Sequence, residues 1–281
     1  MSRDSSNSFS CDLVEEAKKH IAFLQTLHAN SISINKPSRD TFRRYSELWL
    51  PLVHRHSLDN SNAADAKSSC VGLIAPADIA WLWHCHRLAP YRYARHIQNL
   101  FFSSNGASSC SSIDEKVGTR TRNEELVMLD PEHPFVVLLK ENTSSQNLTF
   151  QPQTHTAAAE YTEKLWTEMY PSEPFVLSSY NKEECKDTSD STSMLLSGFD
   201  VIESCQRQTT FLWQVSQEKF QQDSFLKEGV ENYFKFIMLM KRNKDRPRFL
   251  VPTYQIDLMW HTHILSSIKA YHRDCQNVIG T

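Results

Sequence analysis

Apolar residues recur every three or four positions at Leu13, Ala17, Ile21, Leu24 and Leu27. That spacing lines one face of an α-helix, so the first expected element runs from Leu13 to about Leu27. Ser38 to about His54 reads the same way, with Ser38 or Asp40 as cap and Phe42, Tyr45, Leu48, Trp49 and Leu52 on the stripe. A third helix starts near Pro76, since proline suits a first helical turn, and Asp78 there meets the positive end of the dipole. Its stripe is Ile79, Leu82, Trp83 and His86, and Pro90 disfavours helix at Ala89, which stops it near Leu88. Pro90 opens a fourth segment, Tyr91 to Phe102. Further on, Thr156 to Tyr170 reads as a helix carrying Ala159, Leu165, Trp166 and Met169, and Phe135 to Leu139 is an apolar run that suits strand or helix. Helices are then expected at Asp200–Val215, Ser224–Arg242 and Thr253–Leu265, with a short one to Tyr271. The Ser-rich residues 1–10 are expected to be disordered, and Ser103–Ser112 and Asn181–Ser193 to be polar loops.

The pattern occurs twice. Asp12-Leu13-Val14-Glu15 matches Asp200-Val201-Ile202-Glu203, Phe23-Leu24 matches Phe211-Leu212, and Tyr45 matches Tyr233, each pair 188 positions apart. Trp83-His84-Cys85-His86 and Trp260-His261-Thr262-His263 share the tetrapeptide W-H-x-H at an offset of 177. The difference falls in the Ser/Asn-rich stretch from Ser57 to Ser69, where a surface loop tolerates length change. The expected fold is therefore mainly α: an internally duplicated multi-helix domain of two pseudo-symmetric helical repeats. Residues 11–102 form the first, 103–198 a loop-rich, partly irregular connection with one or two helices, and 199–281 the second.

Composition narrows the function. The chain has 281 residues, 40% of them apolar, enough for a substantial core. A net charge of −3 gives no general attraction to nucleic acid or membrane. Six glycines and no G-x-G-x-x-G or P-loop pattern argue against phosphate-cradling loops. Seven cysteines, an odd number without C-x-x-C spacing, and no apolar leader point to reduced thiols and a cytoplasmic location. No run reaches the length of a membrane span, and the sequon at Asn147-Leu148-Thr149 is read as accidental in a cytosolic chain.

The chemistry rests on the histidines of the two W-H-x-H helices. Residues i and i+2 lie about 200° apart on an α-helix, so the two histidines of one motif cannot chelate one ion from a regular helix. His86 and His263 continue the core-facing stripes, while His84 and His261 face another side. Two inward histidines from two helices could meet across a pseudo-twofold axis. His84, His261, Asp257 or a tyrosine would then complete a site for zinc or another transition metal if a helix end unwinds. Asp257 lies four residues before His261 and could accept its ring N–H; the matching residue in the first copy is Ala80. Trp83 and Trp260 pack beside these rings. The plainer reading is two buried structural histidines in last helical turns, where imidazoles meet free carbonyls. Cys85 is a weaker candidate, a nucleophile beside a base. His54 and His56 are expected to be exposed, Tyr45 and Tyr233 to be core, and Glu15 and Glu203 to support helix N-termini. The basic stretch Lys241 to Arg248 could touch phosphates but reads more simply as a solvated loop.

The segments Asp78 to Pro90, Val251 to His263, Arg44-Tyr45 through Trp49-Leu50-Pro51-Leu52, and Phe199-Asp200-Val201 resemble the glycine-rich domain-containing protein family, a domain of unknown function in plants, fungi and other eukaryotes. The resemblance covers roughly residues 11–102 and 199–275. It implies an uncharacterised activity, a link to development and stress responses in plants, and in some members RNA-binding sequences further along the chain. This sequence carries no glycine-rich tail, and Ser266-Ser267 stands where the family usually has a proline. The missing tail argues against a tail-based RNA role, and the abrupt end suggests a shortened relative or an incomplete gene product. The expected role is a binding or interaction module with a protein partner. A metal-dependent enzyme or metal-binding protein is the alternative, and nucleic-acid association through residues 241–248 the second.

Overall fold

Asp12 explains why the first helix begins where it does. Its carboxylate accepts the backbone N–H groups of Val14 and Glu15 at 3.0 and 3.2 Å, which fixes the start of α1 (Leu13–Ala29). Asp200 does the same for Glu203 at 2.9 Å, at the head of α7 (Val201–Val215). The computed structural model describes residues 9–30, 36–62, 72–101, 135, 137–138, 153–177, 194–243 and 249–279.

Between these two helices, the N-terminal half contributes α2 (Arg39–Arg43), a π-helical segment (Arg44–Trp49), α3 (Leu50–Asn62), α4 (Ala77–Arg87) and α5 (Pro90–Phe101). The middle contributes α6 (Gln153–Met169), and the C-terminal half adds α8 (Asp223–Arg242), α9 (Tyr254–Ser266) and α10 (Ile268–Ile279). The protein is mainly α-helical, as the periodicity predicts. Two short strand pairs complete the described residues. β1 (Ala75–Pro76) pairs in parallel with β2 (Val137–Leu138), so the ambiguous apolar run is strand at those two residues, with Phe135 in a turn before it. β3 (Leu195–Leu196) and β4 (Phe199–Asp200) form a hairpin turned by Ser197 and Gly198, both at positive φ. Ser103–Ser112, Asn181–Ser193 and most of the basic 241–248 loop lie outside the described residues.

Three elements differ from the sequence reading. The helix expected from Ser38 to His54 is not uniform: it passes through a π-helical turn at Arg44–Trp49. Pro51 supplies the cause, because it has no N–H to give the carbonyl of Glu47 and its ring crowds that carbonyl, so the ladder widens just before it. The final helix runs to Ile279, well past Tyr271. Phe9 and Ser10, assigned to a disordered terminus, are packed: Phe9 stacks on Tyr233 with ring centres 5.3 Å apart, and Ser10 donates its N–H and its hydroxyl to Asp274.

The halves are interlocked. α1 packs on α8 and α9 of the C-terminal half, while α7 packs on α4 of the N-terminal half; α4 also meets α9. Each W-H-x-H helix therefore lies under the first helix of the opposite half. Arg87 on α4 donates to the Leu265 carbonyl at 3.0 Å, occupying an open acceptor near the end of α9. A buried ion pair anchors the other side of α4: Arg44 donates to Asp78 at 2.9 Å and to the carbonyls of Pro174 and Phe175. Burial raises the Asp78 carboxyl despite the opposing pull of Arg44.

Candidate functional site

The second histidine of each motif sits in a shell of matched aromatics. His86 Nδ1 is 2.7 Å from the Tyr45 phenol, and His263 Nδ1 is 3.1 Å from the Tyr233 phenol. Trp83 Nε1 donates to Tyr93 at 3.2 Å, and Trp260 Nε1 donates to Tyr271 at 3.0 Å. Tyr93 and Tyr271 each meet the histidine edge-on, with ring centres 5.0 and 5.2 Å apart. A phenylalanine from ahead of the opposite half's first helix closes each shell: Phe199 stacks on His86 at 4.8 Å, and Phe9 meets His263 at 5.0 Å.

The shells differ at one position. His263 Nε2 lies 3.2 Å from Asp274, which also accepts from Ser10. Burial raises the Asp274 carboxyl, but the hydrogen bonds from His263 and Ser10 outweigh it and hold the group below its ordinary value. The corresponding neighbour of His86 is His96, 5.3 Å away between ring centres, and burial pushes His96 down to about 4. His86 Nε2 and His96 Nδ1 have no hydrogen-bond partner. Burial also holds His86 well below its ordinary value. The hydrogen-bond and ring partners of His86 and His263 share no residue. These two, expected to meet, occupy separate shells.

The first histidines of the motifs, read from the sequence as flanking, come nearer to one another. α4 is buried on every side, His84 included. His84 stacks on Trp81 at 5.3 Å and packs on Phe23 at 5.4 Å; His261 packs on Phe211 at 4.5 Å. Phe23 and Phe211 are the pair matched at 188. His261 Nε2 is 3.5 Å from Asp257, the neighbour expected from the spacing. A third ring joins them. His20, fully buried on α1, lies 5.2 Å from His84 between ring centres, and its Nδ1 is 3.0 Å from the Thr262 hydroxyl. Burial lowers all three rings; the neighbouring charge of His84 and His261 depresses His20 further, and that of His261 and Arg87 depresses His84 further. Among the described residues, no three His, Cys, Asp or Glu side chains are arranged to hold a metal ion as they stand.

The sequence reading passed over His20, although a signal was present. Leu13, Ala17, His20, Leu24 and Leu27 follow the spacing of an a/d stripe, so a histidine occupied a core position. Gln208, 188 residues beyond it, leaves its side-chain oxygen without a partner. Cys85, the weaker candidate, is fully buried, and burial together with the Cys205 thiol raises it well above its ordinary value, away from the thiolate that a nucleophile needs. The expected exposure of the α3 histidines is corrected. His56 is buried against the Tyr161 phenol at 3.1 Å, and His54 stacks on Phe101 at 4.1 Å; neither is a free surface residue.

The residues around both motifs can be set beside known proteins. No solved structure matches the chain. It is 30% identical over 277 residues to Glycine-rich domain-containing protein 1 of Arabidopsis thaliana, covering 96% of this chain and 28% of that protein. With Glycine-rich domain-containing protein 2 of the same plant it shares 32% over 276 residues, covering 96% of this chain and 29% of the relative. The chain thus spans less than a third of the length of these curated relatives. These alignments run through the middle segment as well as both W-H-x-H helices. Residues 133–274 match the family described as Glycine-rich domain-containing protein-like, and the chain belongs to that family.

Proposed function

We propose that this chain is a cytoplasmic protein-interaction module carried on a duplicated helical scaffold, with its docking surface at the run-in to α9. The observation that carries the reading is the exposure of two large apolar side chains two residues apart, just ahead of α9. Phe249 is 95% exposed and Val251 71% exposed. Tyr254 and, at the end of α8, Leu239 are also exposed. Covering Phe249 and Val251 would contribute roughly 1.5–3 kcal/mol for each side chain. Arg242 is exposed at the end of α8, so the matching partner segment is apolar with a flanking carboxylate.

The matched tyrosine–histidine and tryptophan–tyrosine hydrogen bonds support the duplication. The free thiols of Cys11, Cys85, Cys205 and Cys275 support a reducing compartment. Among the described residues, no helix is long and apolar enough to cross a membrane. A link to stress or development rests on the family resemblance alone. A nucleic-acid role through residues 241–248 has weaker support, since Lys241 is already turned to the Val278 carbonyl at 2.9 Å.

Peptide-display selection on the immobilised full chain tests the reading. Selected peptides should be rich in large apolar residues and Asp or Glu, and the double variant Phe249→Ser/Val251→Ser should bind them about tenfold or more weaker, the equivalent of 1.4 kcal/mol. Equal binding by wild type and the folded double variant would reject this surface.

A further inference from the structure

We propose that His20, His84 and His261 form a binding site for one divalent transition-metal ion, zinc by ligand type, where α1, α4 and α9 meet. Hydrogen-bond accounting is the starting point. A buried ring nitrogen without a partner costs about 1–3 kcal/mol, and buried polar atoms in folded proteins are normally satisfied. These three rings leave four such atoms: Nε2 of His20, both nitrogens of His84, and Nδ1 of His261.

Two of the three rings are held as ligand rings are. Metal-bound histidines have the non-ligating nitrogen held by an oxygen, which sets the ring's direction and tautomer. His20 has Nδ1 held by the Thr262 hydroxyl at 3.0 Å and Nε2 open. His261 has Nε2 facing the Asp257 carboxylate at 3.5 Å and Nδ1 open. The ring centres of His20 and His84 stand 5.2 Å apart, inclined by 50°. Two imidazoles sharing a tetrahedral ion, with bonds of about 2.0–2.1 Å, have centres roughly 5 Å apart. His261 is the ring that must swing in, because the three do not yet converge.

The surroundings favour the neutral imidazole that a metal requires. Phe135 stacks on His20 at 4.8 Å and Trp81 on His84 at 5.3 Å, forming apolar walls that keep the rings uncharged and in place. Three nitrogens leave one coordination position open, as at zinc sites that hold water or a ligand. The site lies within the helix junction and not on the exposed segment at Phe249, so it stands or falls independently of the docking surface. Buried water is the competing occupant of the same nitrogens.

The full chain, produced without a histidine tag and stripped of metal, is titrated with cobalt(II) chloride and followed by visible absorption. One cobalt per chain with the intense bands of a tetrahedral, nitrogen-rich site is expected. Zinc chloride should move the 15N signals of three histidine rings. His20→Gln and His84→Gln should weaken cobalt binding by on the order of 100-fold, while His86→Gln and His263→Gln leave it unchanged. Folded wild-type protein that takes up no cobalt, or uptake that persists in folded His20→Gln and His84→Gln, overturns the site and leaves water as the occupant. If those variants do not fold, the wild-type spectra decide: zinc-induced shifts on other rings, or on none, also overturn it.

Discussion

Tyr45 and Tyr233 make the same bond to the same histidine position, yet losing the phenol should not cost the same. His263 retains Asp274 on its other nitrogen, whereas His86 has nothing on its own. Tyr233→Phe removes one hydrogen bond, worth about 1 kcal/mol. Tyr45→Phe leaves the fully buried His86 ring with no partner at either nitrogen, and should approach the upper end of the roughly 1–3 kcal/mol penalty for an unsatisfied buried group. Chemical denaturation of the two single variants measures the difference; a Tyr233→Phe loss equal to or larger than that of Tyr45→Phe would count against this account. At this scale the sequence was informative about identity and weak about direction. The stripe correctly turned His86 and His263 inward, because a core face has a period. It could not say that the interior encloses His84 as well, since the cover over that ring comes from His20 and Phe23 of α1, far off in sequence. Whether a position faces one neighbour or is surrounded depends on long-range packing that periodicity does not encode.

At the scale of elements, the helices were legible from their apolar stripes, and several from their caps, as Asp12, Ser38, Asp200 and Thr253 show. The π-helical turn before Pro51 was legible in principle, but a proline inside an apolar pattern does not say whether the helix breaks or widens. The order at Phe9 and Ser10 was hidden for a different reason. Ser-rich composition suggests disorder, while one aromatic docking into a prepared shell outweighs it. Phe9 stacks on Tyr233, meets Phe234 and His263 edge-on, and is followed by Ser10 bonded to Asp274. Phe9→Ala should therefore destabilise the chain by about 3 kcal/mol, the lower end of the range for losing a buried phenylalanine. Equilibrium unfolding in urea checks this. A change within about 0.5 kcal/mol would return the segment to a surface tail.

At the scale of the whole molecule, the N-terminal and C-terminal halves do not behave as two domains. The first helix of each half lies on the W-H-x-H helix of the other, so neither half carries its own core, and unfolding should be a single event. That exchange also concentrates histidines in the shared interior, which sets the pH response. Burial holds His20, His84, His86, His96 and His261 below their ordinary value. In the unfolded chain these rings titrate near 6.5. Above that pH both states are neutral and the histidines exert no pull. As pH falls through 6.5, the unfolded chain takes up protons that the folded chain refuses, so stability drops by up to about 1.4 kcal/mol per pH unit for each ring. The loss continues down to each folded value, about 4 for His96. Asp274, depressed by His263 and Ser10, adds its own loss only in the carboxylate range, and Asp78, raised by burial, opposes it there. Between pH 6.5 and 5 the histidines therefore act almost alone. Five rings acting together can remove most of the roughly 5–15 kcal/mol that holds a domain folded. The thermal midpoint, followed by circular dichroism, should be level from pH 8 to 7, fall steeply below 6.5, and reach a single cooperative acid unfolding near pH 5. A midpoint unchanged between pH 7 and 5 would mean that these rings gain protons as readily in the folded chain as outside it, which a buried, interlocked core does not allow.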